Sequence, residues 1–174
     1  MDQVLAEFRA PWGRPLRVTT SLSLVVLLGV VAAGWLATAR APAWRTAAVA
    51  LPLIVMLAAL PFVVRGYVLT ERHIEGRRLG WSTFLPLAGL QEVIGIPEGL
   101  RGSVRLFGNG GLFGISGWFW NRRIGRFRAY ATDPDRVVLL RYSDGRKVVV
   151  TPHDVQHFIV RVRTLARIAG EAAG

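Results

Sequence analysis

The chain has 174 residues, 52% of them hydrophobic, with a mean hydropathy of +0.37 and a net charge of +11. Disordered chains combine charge with low hydrophobicity, and soluble domains seldom exceed about half apolar residues, so this composition fits neither and the apolar surplus must be concentrated locally. There are no cysteines, which excludes disulfides, thiolate metal sites and cysteine nucleophiles.

The surplus lies at the front, behind a short segment, 1–17, that carries Arg9, Arg14 and Arg17 and reads as an N-terminal tail. Residues 18–39 and 46–64 are two runs of 22 and 19 residues without a charge. Roughly 20 residues at 1.5 Å rise span a bilayer core of about 30 Å, so each run is long enough to cross. Pro52 and Pro61 are tolerated in membrane helices, and Pro61 marks the exit of the second. The six-residue link from Arg40 to Arg45 forces a tight antiparallel hairpin, with Trp35 and Trp44 as interfacial anchors. A cleaved signal peptide competes, because Ala37-Thr38-Ala39 resembles a cleavage site, but signal cores run only about 7 to 15 residues and a second apolar run follows at once. Arg9, Arg14 and Arg17 on one flank and Arg65, Arg72, Arg77 and Arg78 on the other outweigh Arg40 and Arg45 in the loop, which puts both ends in the cytoplasm. The expected location is the inner (plasma) membrane, multi-pass.

From residue 65 the pattern changes to short alternating segments, the signature of a small all-β domain over 65–170 with a tail at 171–174. Seven strands are predicted: 66–70, 73–77, one interrupted strand over 82–86 and 90–95 bent at Pro86, 101–108, 125–132, 136–142 and 146–150. In 125–132, Phe127, Ala129 and Ala131 alternate with Arg126, Arg128 and Tyr130, as in a half-buried strand. Ser143-Asp144-Gly145 is a hairpin turn. A terminal helix is predicted with Thr151 as N-cap, Pro152 at its first position and Asp154 completing a capping box, and with a stripe of Val155, Phe158, Ile159, Val162 and Leu165.

The run from Tyr67 to Ile74, then Trp81-Ser82 and Leu85-Pro86-Leu87, resembles the opening of bacterial pleckstrin-homology-like domains. The stretch from Arg105 to Gly114, with Gly117-Trp118-Phe119 and the run from Gly125 to Thr132, is similar to a membrane-associated subgroup. The resemblance covers roughly 65–167 and implies two bent, nearly orthogonal sheets capped by a C-terminal helix, with no enzymatic activity. Eukaryotic relatives bind phosphoinositides through the first hairpin; here that hairpin offers only Arg72, Arg77 and Arg78, so inositide specificity does not carry over. The expected fold is an α/β membrane protein: an N-terminal two-helix transmembrane hairpin plus a pleckstrin-homology-like domain, a seven-stranded bent β-barrel or sandwich of two near-orthogonal antiparallel sheets with a C-terminal α-helix.

No motif for catalysis, a cofactor or a metal accompanies this. The glycine-rich run from Gly108 to Gly114 lacks the Gly-Lys-Ser/Thr end of a phosphate loop and the spacing of a dinucleotide fingerprint, and reads as a turn at Asn109-Gly110. His153 and His157 sit at i and i+4 on one helical face, but a third metal ligand would have to come from Asp154 or the distant His73, so a solvated pair is the expectation. Gly114-Ile115-Ser116-Gly117 is no nucleophile elbow, and Asp133 and Asp135 bracket a Pro134 turn. The informative segment is the aromatic run holding Trp118 and Trp120, followed by Arg122, Arg123, Arg126 and Arg128. Rings beside arginines suit a membrane interface with anionic headgroups, and 110–123 reads as a loop lying on the bilayer; the same rings suit a barrel core or a subunit contact. The net charge divides as +3 for 1–64 and +8 for 65–174. Tethering beside a bilayer favours anionic lipid over nucleic acid as the partner of that basic domain. The expectation is a non-catalytic binding or scaffolding module whose surface of Arg77, Arg78, Trp118, Trp120, Arg122, Arg123 and Arg126 engages anionic lipid or a membrane protein, with self-association through exposed sheet edges. The competing expectation is an accessory subunit of a membrane enzyme or transport complex. Neither apolar run holds an ionisable residue, which argues against an ion path through them.

Overall fold

A computed structural model describes residues 3–37 and 42–171. The link of the predicted hairpin, the cleavage-like tripeptide and the C-terminal tail fall wholly or partly outside these residues, as does the side chain of Trp44.

The first element is a strand, β1 (Val4–Arg9), in the segment expected to be a tail. It pairs antiparallel with β2 (Val64–Thr70), matching Phe8 to Tyr67 and Arg9 to Gly66. Phe8 is buried against Phe158 and Tyr67 in the main core, so the residues before the first apolar helix belong to the folded domain. That helix, α1 (Arg14–Ala37), is the one described helix long and apolar enough to cross a membrane: an 18-residue stretch within Arg14–Leu36 has a mean hydropathy of 2.0, and 11% of it is buried. A second helix, α2 (Pro42–Ala59), contains Pro52 and passes into a 3₁₀ turn, Leu60–Phe62, with Pro61 at its start. The apolar part, Thr46–Phe62, is shorter, about 26 Å at 1.5 Å per residue. Gly34 admits α2 closely: a side chain there would meet the Ala48 Cβ.

Then β2 forms a four-stranded sheet with β1, β3 (His73–Arg78) and β4 (Ser82–Pro86), in the order β1-β2-β3-β4. A six-stranded sheet is built from β5 (Leu90–Gly95), β6 (Val104–Gly110), β7 (Ile115–Asn121), β8 (Gly125–Ala131), β9 (Val138–Tyr142) and β10 (Lys147–Val150), in the order β5-β9-β10-β8-β7-β6. The helix α3 (Val155–Glu171) completes the domain.

The described residues thus hold ten strands where seven were expected, for three physical reasons. β1 is supplied by the N-terminal segment. The interrupted third strand is two strands in different sheets: Pro86 ends β4, Gly89 turns at φ 75°, and β5 pairs with β9. The aromatic run expected to be a loop is β7, held between β6 and β8. Nor are both sheets wholly antiparallel. Because β10 returns from a hairpin with β9 and slots between β9 and β8, it runs parallel to β8, with Val150 opposite Tyr130.

The predicted stripe of α3 closes the core between the sheets: Phe158, Ile159 and Val162 are buried with Tyr67, Leu69, Ile74 and Leu140, and Val155 and Leu165 pack on them. A second cluster, with Phe119, Phe127, Ala129 and Leu139, lies on the opposite face of the six-stranded sheet, as the alternation in β8 requires. The cap of α3 differs from expectation. Asp154 accepts from the His157 amide and is the N-cap, while Thr151 is buried, its Oγ1 receiving the Thr132 amide. Tyr67 bridges the sheets: its hydroxyl donates to the Tyr130 carbonyl at 2.5 Å and accepts from the Thr151 amide at 3.0 Å. Complete burial pushes its pKa up to about 12.

Candidate functional site

Both apolar helices are rooted in the domain. At the foot of α1, Leu16 and Thr20 are buried, and the Gly13 amide donates to the Thr132 carbonyl. Thr20 Oγ1 donates to the Gly111 carbonyl at 3.1 Å and accepts from the Phe113 amide at 3.2 Å. The turn holding those partners is shaped by Asn109, whose side chain receives the amides of Gly111 and Leu112. It also holds Phe113 at φ 62°, a left-handed conformation costly for a bulky residue, with its ring against Trp12. The turn falls one step later than expected, at residues 111–114, because Asn109 and Gly110 are the last paired residues of β6, and it receives a helix. At the foot of α2, the Phe62 ring stands edge-on to Trp81 at 5.3 Å, and Pro61 abuts Gly80.

Consecutive side chains on a strand point to opposite faces, and this divides the predicted site residues. Arg77 faces outward on the four-stranded sheet, where it pairs with Glu7 at 3.2 Å and lies 3.9 Å from Glu75. These groups line a 460 Å³ hollow with Arg9 and Arg65, a face of alternating charge. Arg78 points the other way, toward the six-stranded sheet. Its guanidinium lies 4.6 Å from the centre of the Tyr130 ring and 5.6 Å from that of Trp81. Because Arg78 pairs with Val64, two residues after the 3₁₀ turn, it sits where α2 enters the domain.

Trp118 and Trp120 share one face of β7 with Arg128 and Arg126, their partners on β8. Arg126 lies over the Trp118 ring at 4.7 Å, and Arg128 lies near both Trp118, at 5.8 Å, and Tyr130, at 5.3 Å. This is the face that, farther along the sheet, packs on the four-stranded sheet. Over β6 and β7 it emerges, and Val104, Phe107 and Trp120 are exposed on it. Arg122 and Arg123 lie in the β7–β8 turn, which Asn121 caps through the amides of Arg123 and Ile124. That turn is six residue steps, ~20 Å, along β7 from the turn that holds α1. The predicted surface is thus three places: Arg77 on the outer face, Arg122 and Arg123 at a distal turn, and Arg78 with Trp118, Trp120 and Arg126 along the emerging inner face.

Between Arg78 and Trp118 the two sheets leave a 220 Å³ cavity reached by Phe62, Trp81, Thr83, Phe107, Arg128 and Tyr130. Burial raises the pKa of Tyr130, while the guanidiniums of Arg128 and Arg78 act against the rise. Burial lowers the pKa of Arg78, with repulsion from Arg128 acting in the same direction. Among the described residues no carboxylate pairs with Arg78 or Arg128. Sequence reasoning placed Arg128 beside Tyr130 but left both out of the site; the shared two-residue period of Trp118–Trp120 and Arg126–Arg128 was the signal that could have added Arg128. Thr83, Trp81 and Phe62 carried no such signal, since only the meeting of the two sheets brings them in.

The histidines do not converge. His153 lies before α3, its Nδ1 2.7 Å from Arg136 and its carbonyl accepting from the same guanidinium. His157 packs edge-on to Phe8 and accepts from Arg161. The expected shared helical face fails because the helix starts at Val155. Asp133 accepts the Asp135 amide and pairs with Arg136, making the expected turn.

A family model described as "Bacterial PH domain" matches residues 65–166. No curated protein and no solved structure shows a significant match.

Proposed function

Because the chain belongs to the bacterial PH domain family, whose model covers more than half of it, we propose that it is a membrane-anchored, non-catalytic binding module. In this reading α1 and α2 form a two-span hairpin, both ends lie in the cytoplasm, and the domain meets the anionic inner surface of the membrane. The observation that carries it is the placement of the emerging aromatic face: Phe107, Trp118 and Trp120, interleaved with Arg126 and Arg128, continue from the feet of α1 and α2. Aromatic rings with flanking arginines are stable at headgroup depth, where each arginine gains about 1 kcal/mol from anionic lipid. Two rooted helices hold the domain close to that surface, so weak contacts act at high effective concentration.

The absence of cysteine makes the test direct. A spin label at Phe107→Cys, with the full chain in nanodiscs of phosphatidylglycerol and phosphatidylcholine, is expected to show interfacial depth that shallows as the anionic fraction falls. A label fully accessible to aqueous relaxers at every composition overturns the reading. A second reading, a protein partner or a second copy, is favoured by β6, an unpaired edge strand with Val104, Leu106 and Phe107 exposed. In that case the label is immobilised independently of lipid charge.

A further inference from the structure

We propose that the cleft between β3 and β8 is a dedicated site for one phosphoryl group, that of an anionic phospholipid headgroup, held by the guanidiniums of Arg78 and Arg128 beside the Tyr130 hydroxyl. This deepens the membrane-binding reading and rests on it.

Of the other basic groups nearby, Arg77 is committed to Glu7, Arg146 to Asp144 and Lys147 to the Ile124 carbonyl at 2.6 Å, while Arg126 lies over the Trp118 ring. Arg78 and Arg128 instead stand near one aromatic ring, at 4.6 and 5.3 Å from its centre, with no acid paired to either. Two like charges held together beside a partly buried wall repel each other, and an anion between them removes that repulsion. Guanidinium groups present fixed forks of N–H donors that match phosphate oxygens.

At 220 Å³ the cavity is below the roughly 300–1,000 Å³ of pockets for drug-sized ligands, and it suits a small headgroup. Its polar lining, Thr83, Ser116 and the Tyr130 hydroxyl, can donate to phosphate oxygens left over by the arginines. Phe62 and Trp81 form one wall where α2 joins the domain, and Phe107 and Trp118 form another. A lipid beside α2 can keep its glycerol and chains against these rings while its phosphate reaches the cation pair. A free phosphate shares the chemistry but gains nothing from the aromatic walls, so the lipid is the favoured source.

The test is a ³¹P NMR titration of the full chain in neutral detergent, with dihexanoyl phosphatidylglycerol in one series and inorganic phosphate in another. Saturable lipid binding is expected, weakened at least tenfold by Arg128→Gln or Arg78→Gln and unchanged by Arg77→Gln or by Arg122→Gln with Arg123→Gln. Arg128 is exposed, so Arg128→Gln decides the question even if Arg78→Gln fails to fold. Inorganic phosphate binding as tightly as the lipid overturns the lipid source. No saturable binding, or equal binding by the arginine variants, overturns the site. If the Phe107 label still reports interfacial depth in that case, the site fails alone; if the label is also aqueous, the membrane-binding reading fails with it.

Discussion

The two faces of the four-stranded sheet treat arginine in opposite ways. On the outer face Arg77 is balanced by Glu7 and Glu75, and the result is a solvated lattice of alternating charge. On the inner face Arg78 has an aromatic ring and another arginine for neighbours. Adjacent residues of one strand thus end in a surface of mixed charge and an electropositive cleft, and the strand's two-residue period is sufficient to separate them. The same net charge spread evenly would have made two ordinary surfaces. A formal charge is therefore weak evidence of a binding site until its counter-ions are located.

The comparison breaks first at the core that holds the inner face in place. Phe158 is fully buried against Phe8 and Tyr67, so Phe158→Ala is expected to cost about 3–5 kcal/mol in denaturant unfolding. A loss below about 1 kcal/mol means that the helix does not close this core. The Tyr67 bridge comes next. Tyr67→Phe strands the buried Thr151 amide and is expected to cost about 1–3 kcal/mol. It also carries a pH signature. Folded Tyr67 has a pKa near 12 against 10 unfolded, so its protonated form is favoured by folding: the contribution is complete below pH 10 and is lost as pH rises through 12. Wild-type stability should fall over that window by up to about 1.4 kcal/mol per pH unit from this group, and the Phe variant should lack that part. An unchanged alkaline slope would remove Tyr67 as its cause. The smallest effects belong to the outer face: Arg77→Gln or Glu7→Gln should each shift stability by less than about 1 kcal/mol, because both partners are exposed and screened. A larger shift would show that the outer lattice supports the fold and is more than a solvated surface.

Much of this architecture was legible locally. Alternation in 125–132 separated the Phe127 face from the Tyr130 face because one side of that strand is packed and the other reaches the cleft. The 3.6-residue stripe of α3 was read correctly because a helix against a sheet has one buried side. Thr151 was misread as its cap: a buried hydroxyl holding the end of β8 looks, in sequence, the same as a helix start. The segment 1–17 gave no strand signal because an edge strand draws its hydrogen bonds from a partner some sixty residues away. The aromatic run reads as a loop in sequence because its apolar residues lack alternation; both faces of β7 are apolar, Phe119 toward one core and Trp118 toward the emerging face.

By itself the sequence determined the apolar front and basic remainder, the strand and helix periods, and membership of a family, since these depend on residue types at short spacing. Only the tertiary structure decided which arginines keep their charge uncompensated. Pairing depends on what a folded chain brings within a few ångströms: Glu7 crosses from β1 to neutralise Arg77, while Arg78 and Arg128, fifty residues apart, meet at one tyrosine ring.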